Sequence, residues 1–154
     1  MAELPTIKNR KAFYDYHILS SMECGISLLG SEVKSIRQGN MSIKEGWVDL
    51  TENLEALLKD THIAPYVEAH QLNHEPRRER KLLIKKKDII RLYNETRNKG
   101  ISLIPLKVYF KGRRIKVQIA LVKGKKSYDK RESLKTKEAD RDIAAAMKRS
   151  QQDT

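Results

Sequence analysis

The 154-residue chain carries a single cysteine, Cys24, so no internal disulfide framework braces it. No apolar run approaches the ~18 residues of a membrane-spanning helix. The N-terminal "MAELPTIKNRK" has no apolar core of the secretory-signal kind. These omissions lead us to expect a reducing, cytoplasmic setting and no membrane partner. Acidic residues are also in deficit, 20 against 32 Lys and Arg, which leaves a net charge of +12. Such an imbalance favours polyanions as partners and raises encounter rates with them.

Catalytic and metal signatures are missing as well. There is no G-x-S-x-G, no Walker glycine loop and no G-x-G-x-x-G. His62, His70 and His74 have the spacing H-x7-H-x3-H, which matches no tight zinc pattern, and cysteine pairs are absent. Glu23, Glu32, Glu45 and Asp49 could serve a nuclease only if gathered in a basic cleft, and nothing in their spacing gathers them. Cys24 lies in a strand-like run and reads as an inert, partly buried thiol. The expectation is a non-enzyme with no metal, no cofactor and no small-molecule substrate.

What is present is mainly β. The runs "YDYHIL", "GISLL", "WVDL", "LEALL" and "IAPYV" are short and divided by polar or Gly/Pro-containing breaks. Ile101–Phe110 and Arg114–Val122 are the strongest strands and flank Lys111-Gly112, which predicts a hairpin. In the second of them Ile115, Val117 and Ile119 alternate with Lys116, Gln118 and Ala120, so Lys116 points outward. Pro105 marks an edge or a bulge. Two helices interrupt the pattern. One covers about Ser31–Gln38, with Ser31 as N-cap and Gly39 as stop. The other covers about Lys86–Lys99, where Ile89, Leu92, Tyr93 and Thr96 share a face and Gly100 follows. Many short strands with few helices predict a small antiparallel barrel, closed or partly closed.

Residues 1–8 read as a loose arm and 9–122 as the body. From Lys123 the strand-like apolar residues vanish, and 123–154 reads as a basic tail, disordered when free and helical against a partner. Lys and Arg cluster at Lys8–Lys11, Arg77–Lys81, Lys85–Lys87, Lys111–Lys116 and Lys123–Lys126, with Tyr14, Tyr16, Tyr66, Tyr109 and Tyr128 nearby. A charge run alone is usually a solvated face. Cations for phosphates together with rings for stacking suit single-stranded or structured RNA.

The blocks "NRKAFYDY", "GSEVKSIRQG", "HIAPY", "NHEPRRERKLLI" and "IPLKVYFKGRRIKVQIALVKGKKSYDKRES" stand in the order they take in the SsrA-binding (small protein B) family of bacterial trans-translation, and the chain resembles it over about Asn9–Arg131. The resemblance implies an oligonucleotide-binding-type β-barrel with two or three flanking helices. It also implies a non-enzymatic adaptor that binds the tRNA-like domain of transfer-messenger RNA and delivers it to stalled ribosomes. The alternative is a generic barrel for single-stranded nucleic acid. By the resemblance Glu23, Leu83 and Lys116 face the RNA, and the tail enters the ribosomal decoding centre and mRNA channel, with Asp129, Lys130 and Arg131 as its signature block.

We extend the expected RNA-binding set to Asn9, Lys11, Tyr14, Tyr16, Lys34, Arg80, Lys81, Lys125 and Lys126. The expected ribosome-engaging set is completed by Tyr128, Lys135, Met147 and Lys148. The chain departs from the family at Tyr14, where histidine is common, at Phe13, where a basic residue is common, and at Cys24, usually alanine. Ala146 and Met147 stand where the family tends to have a larger apolar pair. Glu23 is unexpected on an RNA face, because a carboxylate repels phosphate. It can instead accept from a base amino group or a 2′-hydroxyl.

Overall fold

The computed structural model of the chain describes residues 4–125. The chain divides between Gly124 and Lys125 into two units, and the described fold belongs to the first. The expectations on Lys126, Tyr128, Asp129, Lys130, Arg131, Lys135, Met147 and Lys148, and on the tail's order, lie outside the described residues.

The long hairpin sets the frame. β8 (Ile101–Lys111) and β9 (Arg114–Gly124) pair from Ile101 opposite Lys123 down to Lys111 opposite Arg114. The loop is therefore Gly112-Arg113, one residue later than the sequence indicated. Gly112 takes φ +64°, which a side chain would resist. Pro105 sits at a register shift, so the ladder bulges where the residue has no N–H to give. Four further strands and a two-residue N-terminal one complete an antiparallel sheet. They are β1 (Ile7–Lys8), β2 (Tyr16–Ile26), β4 (Trp47–Leu50), β5 (Ala56–Lys59) and β7 (Arg80–Leu83), and the order is β1-β8-β9-β2-β7-β5-β4. β3 (Met41–Ser42) and β6 (His62–Ile63) pair separately.

The sheet curls without closing. β4 returns against β8, but no ladder joins them among the described residues. The approach is close just before β4: a Cβ on Gly46 would lie 2.7 Å from Thr61 Cγ2 and 3.0 Å from Pro105 Cγ. The inner face gathers Ile36, Ile43, Leu58, Ile63, Leu82, Leu103, Val108, Val117, Ile119 and Leu121 into the main core. Helix α2 (Gly30–Arg37) contributes Ile36 and Val33, and α3 (Lys86–Thr96) contributes Leu92. A short 3₁₀ segment, Val67–Leu72, lies between β6 and β7.

Three local expectations change. Ser31 lies inside α2, whose N-cap is Leu29. Ile7 and Lys8 are not loose but pair with Val108 and Lys107 of β8. "YDYHIL" is not one strand, because Tyr14 and Asp15 end a helix, α1 (Arg10–Asp15). Asn9 starts that helix: its side chain accepts from Ala12 N–H at 3.2 Å and donates to Pro105 O at 2.9 Å and Ile43 O at 3.3 Å. α1 then lays Ala12 over Ile104, Leu106, Ala120 and Val122. Strand β9 is thus buried on both faces at this end, which is why Ala120 could stand in the polar register.

Candidate nucleic-acid interface

In antiparallel pairs, residues directly opposite share a face. Lys116 lies opposite both Tyr109 of β8 and Gly25 of β2, and Gly25 lies opposite Leu83 of β7. Glu23 is two residues from Gly25 and so shares its face. The outer surface of four neighbouring strands therefore brings Glu23, Leu83 and Lys116 together although they are far apart in sequence. Lys81 joins them from β7, again two residues from Leu83, and is exposed.

Each side chain here has a local cause. Leu83 is 57% exposed, unusual for a leucine in a central strand. The neighbour across the ladder is a glycine, so no side chain from that position covers it; a Cβ at Gly25 would already stand 3.3 Å from Leu83 Cδ1. Glu23 does not project freely. Its Oε2 accepts from the Tyr109 hydroxyl, and Lys111 Nζ stands 3.4 Å from Oε1. The Tyr109 hydroxyl holds the Glu23 carboxyl below the usual carboxylate range, against the opposing effect of burial and with help from Lys111 and Lys116. Burial first, and then Glu23, push the Tyr109 phenol up to about 12. Lys107 Nζ stands 5.1 Å from the Tyr109 ring centroid, within cation–π range. The face thus holds one fixed carboxylate, one exposed leucine and a fringe of lysines. Phosphates can meet the cations, a splayed base or ribose can meet Leu83, and Glu23 remains ionised to accept a donor.

The other expected residues divide. Lys11 and Tyr14 are exposed on α1, and Lys11 Nζ stands 3.6 Å from Glu45 and 4.0 Å from Asp15. Tyr16 closes α1 and packs on the small cluster under it. Lys34 is on α2, its Nζ 5.4 Å from the Tyr66 ring, apart from the sheet face. Lys125 follows β9.

Two assignments are corrected. Asn9 is buried, its amide and carbonyl both used to start α1 and tie it to β8, so it offers nothing to RNA. Arg80 is 0% exposed. On β7 it alternates inward with Leu82 while Lys81 and Leu83 turn out. Its Nε donates to Glu32, its Nη1 to Thr61 O and Oγ1, and its Nη2 to Pro76 O and Glu75 O. Glu32, also fully buried, accepts from Arg78 and from the Leu29 N–H at 2.8 Å, capping α2. The "RRERK" run was expected to meet RNA, yet its fourth residue is an internal tie between sheet and helix.

The expected RNA-binding set left out Tyr109, Lys107, Lys111 and Gly25, although Tyr109 and Lys111 stood among the rings and basic clusters read from the sequence. The first three were within reach: in β8 they fall at alternate positions, and pairing across the hairpin sets Tyr109 opposite Lys116. Gly25 carried no such signal, since its effect depends on which residue lies across the ladder. Cys24 points the other way, into the core. Its thiol donates to Val117 O at 3.4 Å, and burial pushes its pKa up to about 12, so it is inert.

The chain matches the family described as "SmpB protein" over residues 6–149. The SsrA-binding protein of Carboxydothermus hydrogenoformans is 49% identical to it over 92% of this chain and 94% of that one. The SsrA-binding protein of Enterococcus faecalis is 51% identical over 92% of this chain and 91% of its own length. A chain solved in the work "tmRNA-SmpB: a journey to the center of the bacterial ribosome" superposes with a TM-score of 0.68 at 42% identity, covering 80% of this chain and 86% of that one. With likeness of this extent in sequence and in fold, the chain belongs to the SmpB protein family.

Proposed function

We propose that the chain is a non-enzymatic RNA-binding adaptor of trans-translation. Its sheet face binds the tRNA-like domain of transfer-messenger RNA, and the residues beyond 125 engage the ribosome at the decoding centre and mRNA channel. One observation carries this reading: Leu83 and Lys116 flank Gly25 across three adjacent strands, with Glu23 beside them on the same face. Such a mixed patch suits recognition of a folded RNA by shape, with few base contacts. Relatives named for SsrA binding, and a solved relative named with transfer-messenger RNA and the ribosome, support the choice of partners. The net charge of +12 supplies long-range attraction to both. No described helix is long and apolar enough to cross a membrane, in keeping with a cytoplasmic site of action.

The test is a competition assay with the full chain. Folded tRNA-like RNA should displace labelled probe far better than poly-U does; equal competition would identify a generic single-strand binder. Truncation after Arg131 should leave RNA affinity within tenfold, about 1.4 kcal/mol, while abolishing peptide tagging of stalled chains. Labelled RNA incubated with Mg²⁺ or Mn²⁺ should stay intact.

A further inference from the structure

Glu23 is the odd residue of the proposed interface, an anion amid lysines on a surface that meets a polyanion. From β8, Tyr109, Lys111 and Lys107 surround it, and from β9 Lys116 and the neutral Gln118. Its own strand adds Ser21, which receives a hydrogen bond from Gln118 at 3.1 Å, and β7 adds Leu83 and Lys81. Among these only Tyr109 offers a hydroxyl aimed at the carboxylate, and it engages one oxygen, Oε2. The other, Oε1, has Lys111 Nζ at 3.4 Å, a side chain 67% exposed and free to swing away.

We infer that Tyr109 is a positioning residue: by anchoring Oε2 it fixes the Glu23 rotamer and directs Oε1 outward to accept from a hydrogen-bond donor of the bound RNA. This rests on the reading of the sheet face given above. A glutamate on an open strand surface samples several rotamers, and ordering it on binding costs entropy. A bond formed beforehand removes that cost and keeps the carboxylate from folding back onto Lys116, where it would cancel a cation needed for phosphates; the contact with Lys111 remains, through a lysine exposed enough for a donor to displace. Tyr109 is suited to this. Its ring lies in the ladder opposite Lys116, and Lys107 stacks on it at 5.1 Å, so the ring is itself held. RNA supplies two kinds of donor for Oε1, the 2′-hydroxyl and the base amino group.

The experiment measures binding of the full chain to a transcript of a tRNA-like domain from pH 4 to pH 8, for the wild type, Tyr109→Phe, Glu23→Gln, the double variant and Lys116→Ala. Phenylalanine keeps the ring and removes the hydroxyl. The expected result is about a tenfold loss of affinity for Tyr109→Phe, with little further loss when Glu23→Gln is added. The acid limb should also move. The hydroxyl holds Glu23 below its ordinary range, so affinity that depends on the ionised form is lost as pH falls through that lowered value. Without the hydroxyl the loss sets in at higher pH.

A ¹³C-carboxyl NMR titration of Glu23 in the RNA-free chain reads the same shift directly, and a mere loss of packing would not produce it. Unchanged affinity with an unchanged acid limb, or additive losses in the double variant, overturns the inference. If the wild type does not bind the transcript, the reading of the face falls instead. If Lys116→Ala weakens binding but Tyr109→Phe does not, only Tyr109's role falls. Repeating the comparison with 2′-deoxyribose at successive nucleotides names the donor: a position where the Tyr109→Phe penalty vanishes identifies a 2′-hydroxyl, and a penalty kept throughout identifies a base amino group. Both support the inference.

Discussion

Replacing Glu32 by glutamine changes almost nothing in shape and removes one charge. The amide oxygen can still accept from Leu29 N–H, so the cap of α2 survives. What is lost is the anion that compensates Arg80, a guanidinium with no access to water. Arg78 loses its partner too, but it is one-third exposed and can turn to solvent. Breaking a buried pair by removing one partner typically costs about 3–5 kcal/mol, out of a total stability of about 5–15 kcal/mol. Urea unfolding at pH 7 should therefore show a midpoint lowered by about a fifth or more with an unchanged slope.

The pH dependence adds a second signature. Burial would raise the Glu32 carboxyl, but the Arg78, Leu29 and Arg80 bonds outweigh it and hold the group below its ordinary value. Its contribution is present above the unfolded carboxylate range and is lost as pH falls through the lowered folded value. Wild type should lose this share of stability in acid, and Glu32→Gln should lack that step. Adding Arg80→Met should recover part of the loss, since two neutral groups can pack where one bare charge cannot. A Glu32→Gln protein within 1 kcal/mol of wild type, a shift of the order tolerated at exposed pairs, would refute the tie. So would a change in the salt slope of RNA binding under conditions where both proteins are folded, because that would put Arg80 on the RNA.

Three other substitutions probe the face and the seam. Lys116→Ala should lower the log–log salt slope of RNA binding by about 0.7–0.9, one phosphate contact, and an unchanged slope would remove Lys116 from the phosphate path. Gly25→Ala places a methyl 3.3 Å from Leu83 Cδ1, tight but beside a movable side chain. Thermal stability should change by less than about 1 kcal/mol while RNA affinity falls as Leu83 is displaced. Gly46→Ala meets Thr61 Cγ2 at 2.7 Å, Pro105 Cγ at 3.0 Å and the Ile43 carbonyl at 3.2 Å, none at the end of a flexible chain. Calorimetry should show a loss of about 1–3 kcal/mol as β4 is forced off β8.

The parts of the fold that could be read early are those whose periodicity equals their burial. The β8–β9 hairpin alternates in the half nearest its turn, Arg114–Gln118 above all, because there one face is core and the other largely solvent; at Ile119–Val122 the alternation stops because α1 covers the second face. α3 shows its stripe because only one side of it is buried. α1 left no stripe, since only Ala12 of its six residues is buried; the cue was Asn9, a cap residue sitting inside what looked like a basic run. β2 was read as two runs because "SSMEC" breaks the apolar pattern, its outer positions being kept polar for the face that Glu23 occupies.

The misplaced Arg80 shows what a charge count leaves undetermined. Lys81 and Arg80 are neighbours of like charge, and the strand's period of two sends one outward and one into the core. Which of them is inward follows from the register with β5, where Leu82 lies opposite Ala56 and Arg80 opposite Leu58, both fully buried. Arg80 can be there only because α2 delivers Glu32 from its first turn, where the backbone amide of Leu29 and two arginines jointly stabilise the anion. The same logic, reversed in setting, applies at Glu23. There a tyrosine anchors one carboxylate oxygen on an exposed surface, and the other meets only an exposed lysine that a partner's donor can displace. A glutamate bound by buried protein groups on every side is structural, and one whose second oxygen meets only a displaceable side chain can read a ligand.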